Sequence, residues 1–337
     1  MNKVLVTGAS SFLGYHVAKR LNEQGISPRV LELAESHLDP LNRLDVSRCE
    51  GHLEDPAALG AACAGVDTVF HLAFKVSVGG GTKLLEAMRE VNIAGTQRLL
   101  DTAAASGVER VVLASSALAV GVNRRPEPLA ETADWAEHDL HLPYATMRRE
   151  AEQAGLAKAK PGFEVVAVCP AFTLGPDDPV GAPANKLLNT LIRGKLRFTL
   201  PVGFGCLDVR DFANGAIAAA RRGHSGQRYL LSGHNVTTNQ LLEQAAAIAG
   251  VRAPRFAPPR LLLAALVGAV EMFSALAGKP APVTRDVLQI IGRYAWYDTS
   301  RARTELGWEP RPLQQTLEDT IRWLRSGPPA FVQRSRV

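Results

Sequence analysis

Cysteine is scarce in this sequence, with four in 337 residues. Cys49, Cys63, Cys169 and Cys206 include no C-x-x-C pair, which argues against a disulfide scaffold and a zinc ribbon. Cys49 and His52 stand at ligand-like spacing, but no second pair completes a site, so no metal is expected. Thiols so few and scattered suit small core residues in a reducing compartment, and the expected location is cytoplasmic. Long apolar runs are missing too. None reaches the ~18 residues that a membrane span needs. The opening MNKVLVTGAS runs straight into a strand-like segment, so no secretory leader is expected. Nor does one sign of charge dominate. There are 38 Lys+Arg against 33 Asp+Glu, a net charge of +5. The basic clusters are only the pairs Arg124-Arg125, Arg148-Arg149 and Arg221-Arg222, so a nucleic-acid partner is not expected.

What remains is a globular composition, 46% hydrophobic and 21% charged, long enough for one large α/β domain and a smaller lobe. The first half alternates short β-rich runs with helical patterns. Strands are expected at 3–7 (KVLVT), 29–33 (RVLEL), 67–72 (DTVFHL), 110–115 (RVVLAS) and 164–169 (EVVAVC). Helices are expected at 12–24, 56–62, 84–105 and 144–156, the second opened by Asp55-Pro56 as N-cap and first residue. That alternation implies crossover connections and a doubly wound parallel sheet covered on both faces. Beyond Pro170 the pattern loosens; helices are expected at 239–248 and 313–324. The expected division is a dinucleotide-binding Rossmann-type domain over 1–170 and a mainly substrate-binding lobe over 171–337, with the two interleaved.

The segment TGASSFLG (7–14) follows a strand and opens a helix, the context a dinucleotide loop requires. Gly8 permits the tight turn and Gly14 lets helix and strand pack closely. Ser11 stands where a middle glycine is usual; its Cβ narrows the approach, while its hydroxyl could donate to a phosphate. The helix N-terminus offers free N–H groups and a positive dipole end to a pyrophosphate. A turn that binds nothing has the same outline, and position at the first βα unit favours a cofactor. Glu32 ends the second strand, 18 residues after Gly14, where a carboxylate accepts from ribose hydroxyls and repels a 2′-phosphate. The expected cofactor is therefore NAD, with NADP less favoured, although Arg29 and Arg43 are cations that could reach a phosphate.

The fourth expected strand ends at Ser115-Ser116, and a later helix opens with Pro143-Tyr144. Arg148 lies four residues after Tyr144, on the same helical face. A phenol beside a fixed cation can serve as general acid or base, and a serine from the strand end can hold the same substrate oxygen.

With these residues in place, the chain resembles the extended short-chain dehydrogenase/reductase family over nearly its whole length. The resemblance is carried by TGASSFLG (7–14), VDTVFHLA (66–73), VNIAGTQRLL (91–100), VERVVLASS (108–116), PYATMRREAE (143–152), PAFTLGPDD (170–178), LDVRDFANG (207–215) and YDTSRARTELGWEPR (297–311). It implies that Ser116 orients the substrate oxygen, that Tyr144 transfers the proton, and that Arg148 stands where the family has a lysine that binds the nicotinamide ribose. Arginine keeps the charge but cannot release a proton, which makes it a poor relay member. Gly51-His52-Leu53 departs as well, since the family usually has Asp after that glycine to contact adenine. The resemblance further places cofactor contacts at Ser10, Phe12 and Leu13 in the loop, at His52 and Leu53, and at Leu72 and Ala73 after the third strand. Ala114, Pro170 and Phe172 complete that set at later strand ends. Lys75 is expected near the nicotinamide, and Asn92 is expected to brace the active-site backbone.

The substrate side is read from the apolar run after Arg260, LLLAALVGAV (261–270), followed by Met272, Phe273 and Leu276. With 280–298, it is similar to the dihydroflavonol-reductase and 3β-hydroxysteroid-dehydrogenase branch and to hopanoid-associated members. That implies alcohol–ketone conversion on a largely apolar small molecule, with peripheral rather than spanning membrane contact. A nucleotide-sugar epimerase or dehydratase is the alternative enzyme, and a non-catalytic NAD-binding sensor is the reading that Arg148 and His52 favour. Relatives often dimerise through the helices here near 84–105 and 144–156, so a homodimer is expected.

Overall fold

Val4–Thr7 is buried along its whole length and forms β1. Its side chains alternate between two cores: Val4 and Val6 face one, Leu5 the other. Such two-sided burial is what a parallel central strand requires. The computed structural model describes residues 1–34, 36, 39–75, 82–133, 135, 140, 142–277 and 288–327. In the first half, β1 leads to α1 (Phe12–Glu23), β2 (Arg29–Glu32), β3 (Ser47–Glu50), α2 (Pro56–Cys63) and β4 (Thr68–His71). Next come α3 (Thr82–Arg89), a π-helical segment (Glu90–Gly95), α4 (Thr96–Ala105), β5 (Arg110–Ala114), α5 (Pro143–Leu156) and β6 (Glu164–Pro170). The second half contains β7 (Phe172–Leu174), α6 (Pro183–Ile192), β8 (Gly203–Asp208), α7 (Val209–Arg222), β9 (Arg228–Leu231) and β10 (His234–Thr237). It closes with α8 (Thr238–Ala249), α9 (Arg260–Leu276), β11 (Tyr294–Ala295), α10 (Ser300–Leu306) and α11 (Leu313–Ser326).

Seven strands form an all-parallel sheet in the order β3-β2-β1-β4-β5-β6-β9. This is a Rossmann-type doubly wound sheet, and its order reverses between β1 and β4. One face packs Val112, Val166 and Tyr229 against residues of α1, α7 and α10; the other packs Leu5, Val69 and Val111 against α2 and α4. The chain beyond Pro170 thus returns to the large sheet through α7, β9 and α10. A smaller sheet is built on β8, with β10 antiparallel on one edge and β7 and β11 parallel on the other. Its core of Leu174, Val236, Leu241 and Leu317 packs with α6, α8 and α11.

In the first half, two details depart from the sequence expectation. β3 is an additional edge strand; its residues Ser47, Arg48 and Glu50 are exposed, so it carries no apolar period to read. The helix expected over 84–105 is interrupted by the π segment, which turns Asn92 and Gly95 inward. A Cβ on Gly95 would come within 3.0 Å of Leu53 Cβ, so the bulge also seats the loop after β3. π-bulges often occur at functional sites.

Candidate active site

The loop between β1 and α1 is fixed by its own contacts. Gly8 has φ +71°, and a Cβ there would lie 2.7 Å from the Ala73 backbone. On Gly14 a Cβ would lie 2.0 Å from the Gly8 carbonyl oxygen. Neither position accommodates a side chain. Ser11 caps α1: its Oγ accepts from the Gly14 N–H at 3.1 Å and donates to the Gly8 carbonyl at 2.7 Å. Its one hydroxyl proton is therefore engaged within the loop. Ser10 turns both its donors to Glu32, N–H at 2.9 Å and Oγ–H at 2.5 Å. Burial pushes the Glu32 carboxyl above the usual range, opposed by the Ser10 bonds. The Ser36 hydroxyl and the Ala9 N–H also donate to this carboxylate, so a ribose would take its place by displacing one of these donors. Phe12 is buried and Leu13 half-buried in the first turn of α1.

From the loop, a buried hydrogen-bond chain crosses to the ends of β4 and α4. Ala73 N–H donates to Thr7 Oγ1 at 3.3 Å, and Thr7 Oγ1 lies 2.7 Å from His71 Nδ1. His71 Nε2 lies 2.9 Å from Thr96 Oγ1, whose own proton goes to the Asn92 carbonyl. That last bond sets the direction: His71 donates from Nε2 and accepts at Nδ1, as a neutral imidazole. Burial, with Arg148 adding repulsion, lowers its pKa to about 3. Asn92 then clamps Lys75, accepting from its N–H at 2.8 Å and donating to its carbonyl at 2.9 Å. The Lys75 side chain is exposed.

Beyond the end of β5, Ser115 and Ser116 are buried, and Ser116 Oγ accepts from the Leu118 N–H at 3.3 Å. Pro143 opens α5 as its first residue and sets Tyr144, half-buried, in the first turn. One turn later Arg148 is buried. Its Nη1 donates to the Ala114 carbonyl at 3.2 Å, and its guanidinium carbon stands 3.7 Å from the Phe74 ring centroid and 5.2 Å from that of Tyr144. Its Nε has no hydrogen-bond partner among the described residues. A buried N–H left open is costly unless something else accepts from it.

Other expected residues lie around this centre. His52 is exposed, whereas Leu53 is buried in the core beneath α4. Leu72 is buried, Pro170 ends β6, and the Phe172 ring packs 4.7 Å from Phe204. Arg29 is turned the other way: its Nη1 donates to the carbonyls of Ala61, Ala62 and Ala64 at the end of α2. Sequence reasoning missed Phe74, Thr7, His71 and Thr96. Phe74, between Ala73 and Lys75, is a planar residue beside a loop already singled out, but its stacking on Arg148 is a tertiary contact that no spacing reveals.

The tight glycine turn that brings the α1 N-terminus to the end of β1, and the open Nε of Arg148, fit a dinucleotide laid across the β1–β4 reversal. The fold is that of an α/β dinucleotide-binding enzyme. The sequence model of the NAD dependent epimerase/dehydratase family matches residues 4–232. The chain belongs to that family, the extended short-chain dehydrogenase/reductases. It is similar to a 2-alkyl-3-oxoalkanoate reductase of Stenotrophomonas maltophilia, 30% identical over 96% of this chain and 98% of that one. It is also similar to sterol demethylase protein B of Methylococcus capsulatus, at 29% identity over 95% and 98%. Among solved structures, gox2253 superposes with a TM-score of 0.84 at 29% identity, covering 97% of this chain and 98% of that one.

Proposed function

We propose that the protein interconverts a ketone and an alcohol on a largely apolar small molecule, with NAD(H) as cofactor and Tyr144 as proton donor or acceptor. The observation that carries this reading is the buried Arg148 guanidinium, held beside the Tyr144 ring by the Ala114 carbonyl and the Phe74 face. When bound, the cofactor supplies or accepts the hydride.

The chain's own residues do the rest. The loop from Gly8 to Gly14 receives the pyrophosphate, with the α1 N-terminus as its dipole. Glu32 receives the adenosine ribose hydroxyls and disfavours a 2′-phosphate, which supports NAD over NADP. Arg29 is no counterweight, because its guanidinium caps α2. Ser116 retains its hydroxyl proton to hold the substrate oxygen, since its described bond is one it accepts. Tyr144 exchanges a proton with that oxygen. Arg148 supplies fixed positive charge, and its open Nε–H is a donor for the nicotinamide ribose. Asn92 keeps the Lys75 backbone in place.

The names of the reductase and sterol-active relatives support an apolar substrate. The reading further includes a cytoplasmic homodimer joined through the helical stretch 84–105 and α5, in contact with a membrane only at its surface. An epimerase or dehydratase acting on a nucleotide sugar is the second reading, and the family description favours it. A screen of apolar ketones and alcohols, followed by NADH absorbance, separates them. Stoichiometric NADH consumption with an apolar ketone supports the proposal, whereas turnover of UDP-sugars with no net change in NADH supports the alternative.

A further inference from the structure

α9 leaves six large apolar side chains in solvent: Leu261, Leu262, Leu266, Val270, Met272 and Phe273, with Leu261 84% and Phe273 65% exposed. At 3.6 residues per turn they occupy about half the helix circumference. Leu263 is buried, so the remaining side seats the helix. Two more exposed rings, Phe198 and Phe256, stand on adjoining segments: Thr199 N–H donates to the Phe256 carbonyl at 2.9 Å. The same two loops expose Arg193, Lys195, Arg197, Arg252 and Arg255, and the exposed Arg260 opens α9. Neither 193–200 nor 251–270 contains an Asp or Glu.

We propose that α9 and these two basic loops form a docking surface for an anionic lipid bilayer, with α9 lying in the plane of the interface. Apolar side chains flanked by cations are the combination that binds such an interface, the former entering the acyl boundary and the latter meeting the headgroups. No helix among the described residues is long and apolar enough to cross, so α9 lies on the bilayer. A second copy is a poor occupant, because a two-fold contact would set six cations against six. A nucleic acid would leave Leu261 and Phe273 without an apolar partner. The inference stands on α9 and its cations, independently of the proposed reaction.

The test is co-sedimentation of the full chain, without cofactor, with vesicles of phosphatidylcholine alone and of phosphatidylcholine with phosphatidylglycerol. The protein is expected to pellet with the anionic vesicles, little with the neutral ones, and less at ~1 M salt, where the Debye length is ~3 Å. Replacing Arg252, Arg255 and Arg260 together by Gln should weaken binding roughly a hundredfold, at about fivefold per charge. Leu261→Asp with Phe273→Asp should abolish it, while Arg48→Gln with Arg221→Gln on the large domain should change little. If the aspartate variant does not fold by circular dichroism, the arginine variant and the vesicle comparison decide. A protein that stays in the supernatant with both vesicle types overturns the proposal. So does equal binding to both with no effect of the arginine changes. A dimer by light scattering that Leu261→Asp dissociates, without vesicle binding, assigns the surface to a second copy and also overturns it.

Discussion

His71 Nδ1 accepts from the hydroxyl of Thr7, 2.7 Å away and fully buried. This bond joins the end of β4 to the residue just before the phosphate loop, and in this direction it requires the neutral imidazole that burial and the Arg148 charge favour. A proton on Nδ1 would turn the acceptor into a donor facing an oxygen whose proton already points at it. His16, buried on α1, is held neutral for another reason: its Nε2 donates to the Pro176 carbonyl at 3.1 Å, a bond that favours the cation, and burial and the neighbouring Lys19 charge outweigh it.

The pH dependence of stability follows. The folded pKa of His71 is lowered to about 3 and that of His16 to about 4, both from 6.5. The unfolded chain therefore binds more protons than the folded one below pH 6.5, and stability is lost as pH falls toward 4. Each histidine contributes about 1.4 kcal/mol per pH unit in that window. Glu32 acts in the opposite direction, since its raised pKa favours the fold below the unfolded value and is lost as pH rises through the folded one. Urea unfolding at a series of pH values should show the net fall, and His16→Gln should remove about half of the histidine slope. A flat profile from pH 6.5 to 4 contradicts the neutral assignment.

Replacing the phenol tests proton transfer. Tyr144→Phe should lower kcat about 10²- to 10⁴-fold and leave cofactor affinity nearly unchanged, read by NADH fluorescence titration. Retained turnover would remove Tyr144 from the mechanism.

Phe74 should matter for turnover through Arg148, although its ring also packs 5.1 Å from that of His71. Phe74→Ala removes a stacked ring worth about 1–2 kcal/mol when desolvated, and kcat is expected to fall on the order of tenfold while the fold persists. Arg148→Met should cost more, because the charge is lost along with the donor to Ala114. Arg148→Lys restores the charge but not the planar stack and should fall between the two. If only the Arg148→Lys variant turns over, the wild-type chain is a sensor and not an enzyme.

Glu32 sets the cofactor preference in this account. Glu32→Gln should relax discrimination against NADPH, measured as the ratio of kcat/KM for the two reduced cofactors. It should also loosen the loop, because Ser10 loses a charged acceptor for both its donors. An unchanged ratio would place the discrimination elsewhere.

Much of the frame around this site is legible in the sequence. TGASSFLG announced a strand, a tight turn and a helix, because Gly8 and Gly14 sit where backbone approaches backbone. The five core strands of the first half were legible because burial on both faces leaves unbroken apolar runs. Tyr144 and Arg148 shared a face by helical period alone. β3 was hidden because an exposed edge strand carries no apolar signal, and the π segment because one extra residue per turn changes hydrogen bonding without changing composition. The Thr7–His71–Thr96 chain was hidden for another reason: its members lie 64 and 25 residues apart in sequence and meet only when β1, β4 and α4 are packed.

The most direct measurement is isothermal titration of the purified chain with NADH, alongside Gly14→Ala. The wild type should give a saturable, one-to-one heat. In Gly14→Ala the new Cβ would meet the Gly8 carbonyl oxygen at 2.0 Å, so that heat should disappear while the circular dichroism spectrum persists. No heat from the wild type at millimolar NADH, or equal heats from both proteins, would contradict a dinucleotide seated on this loop beside Tyr144.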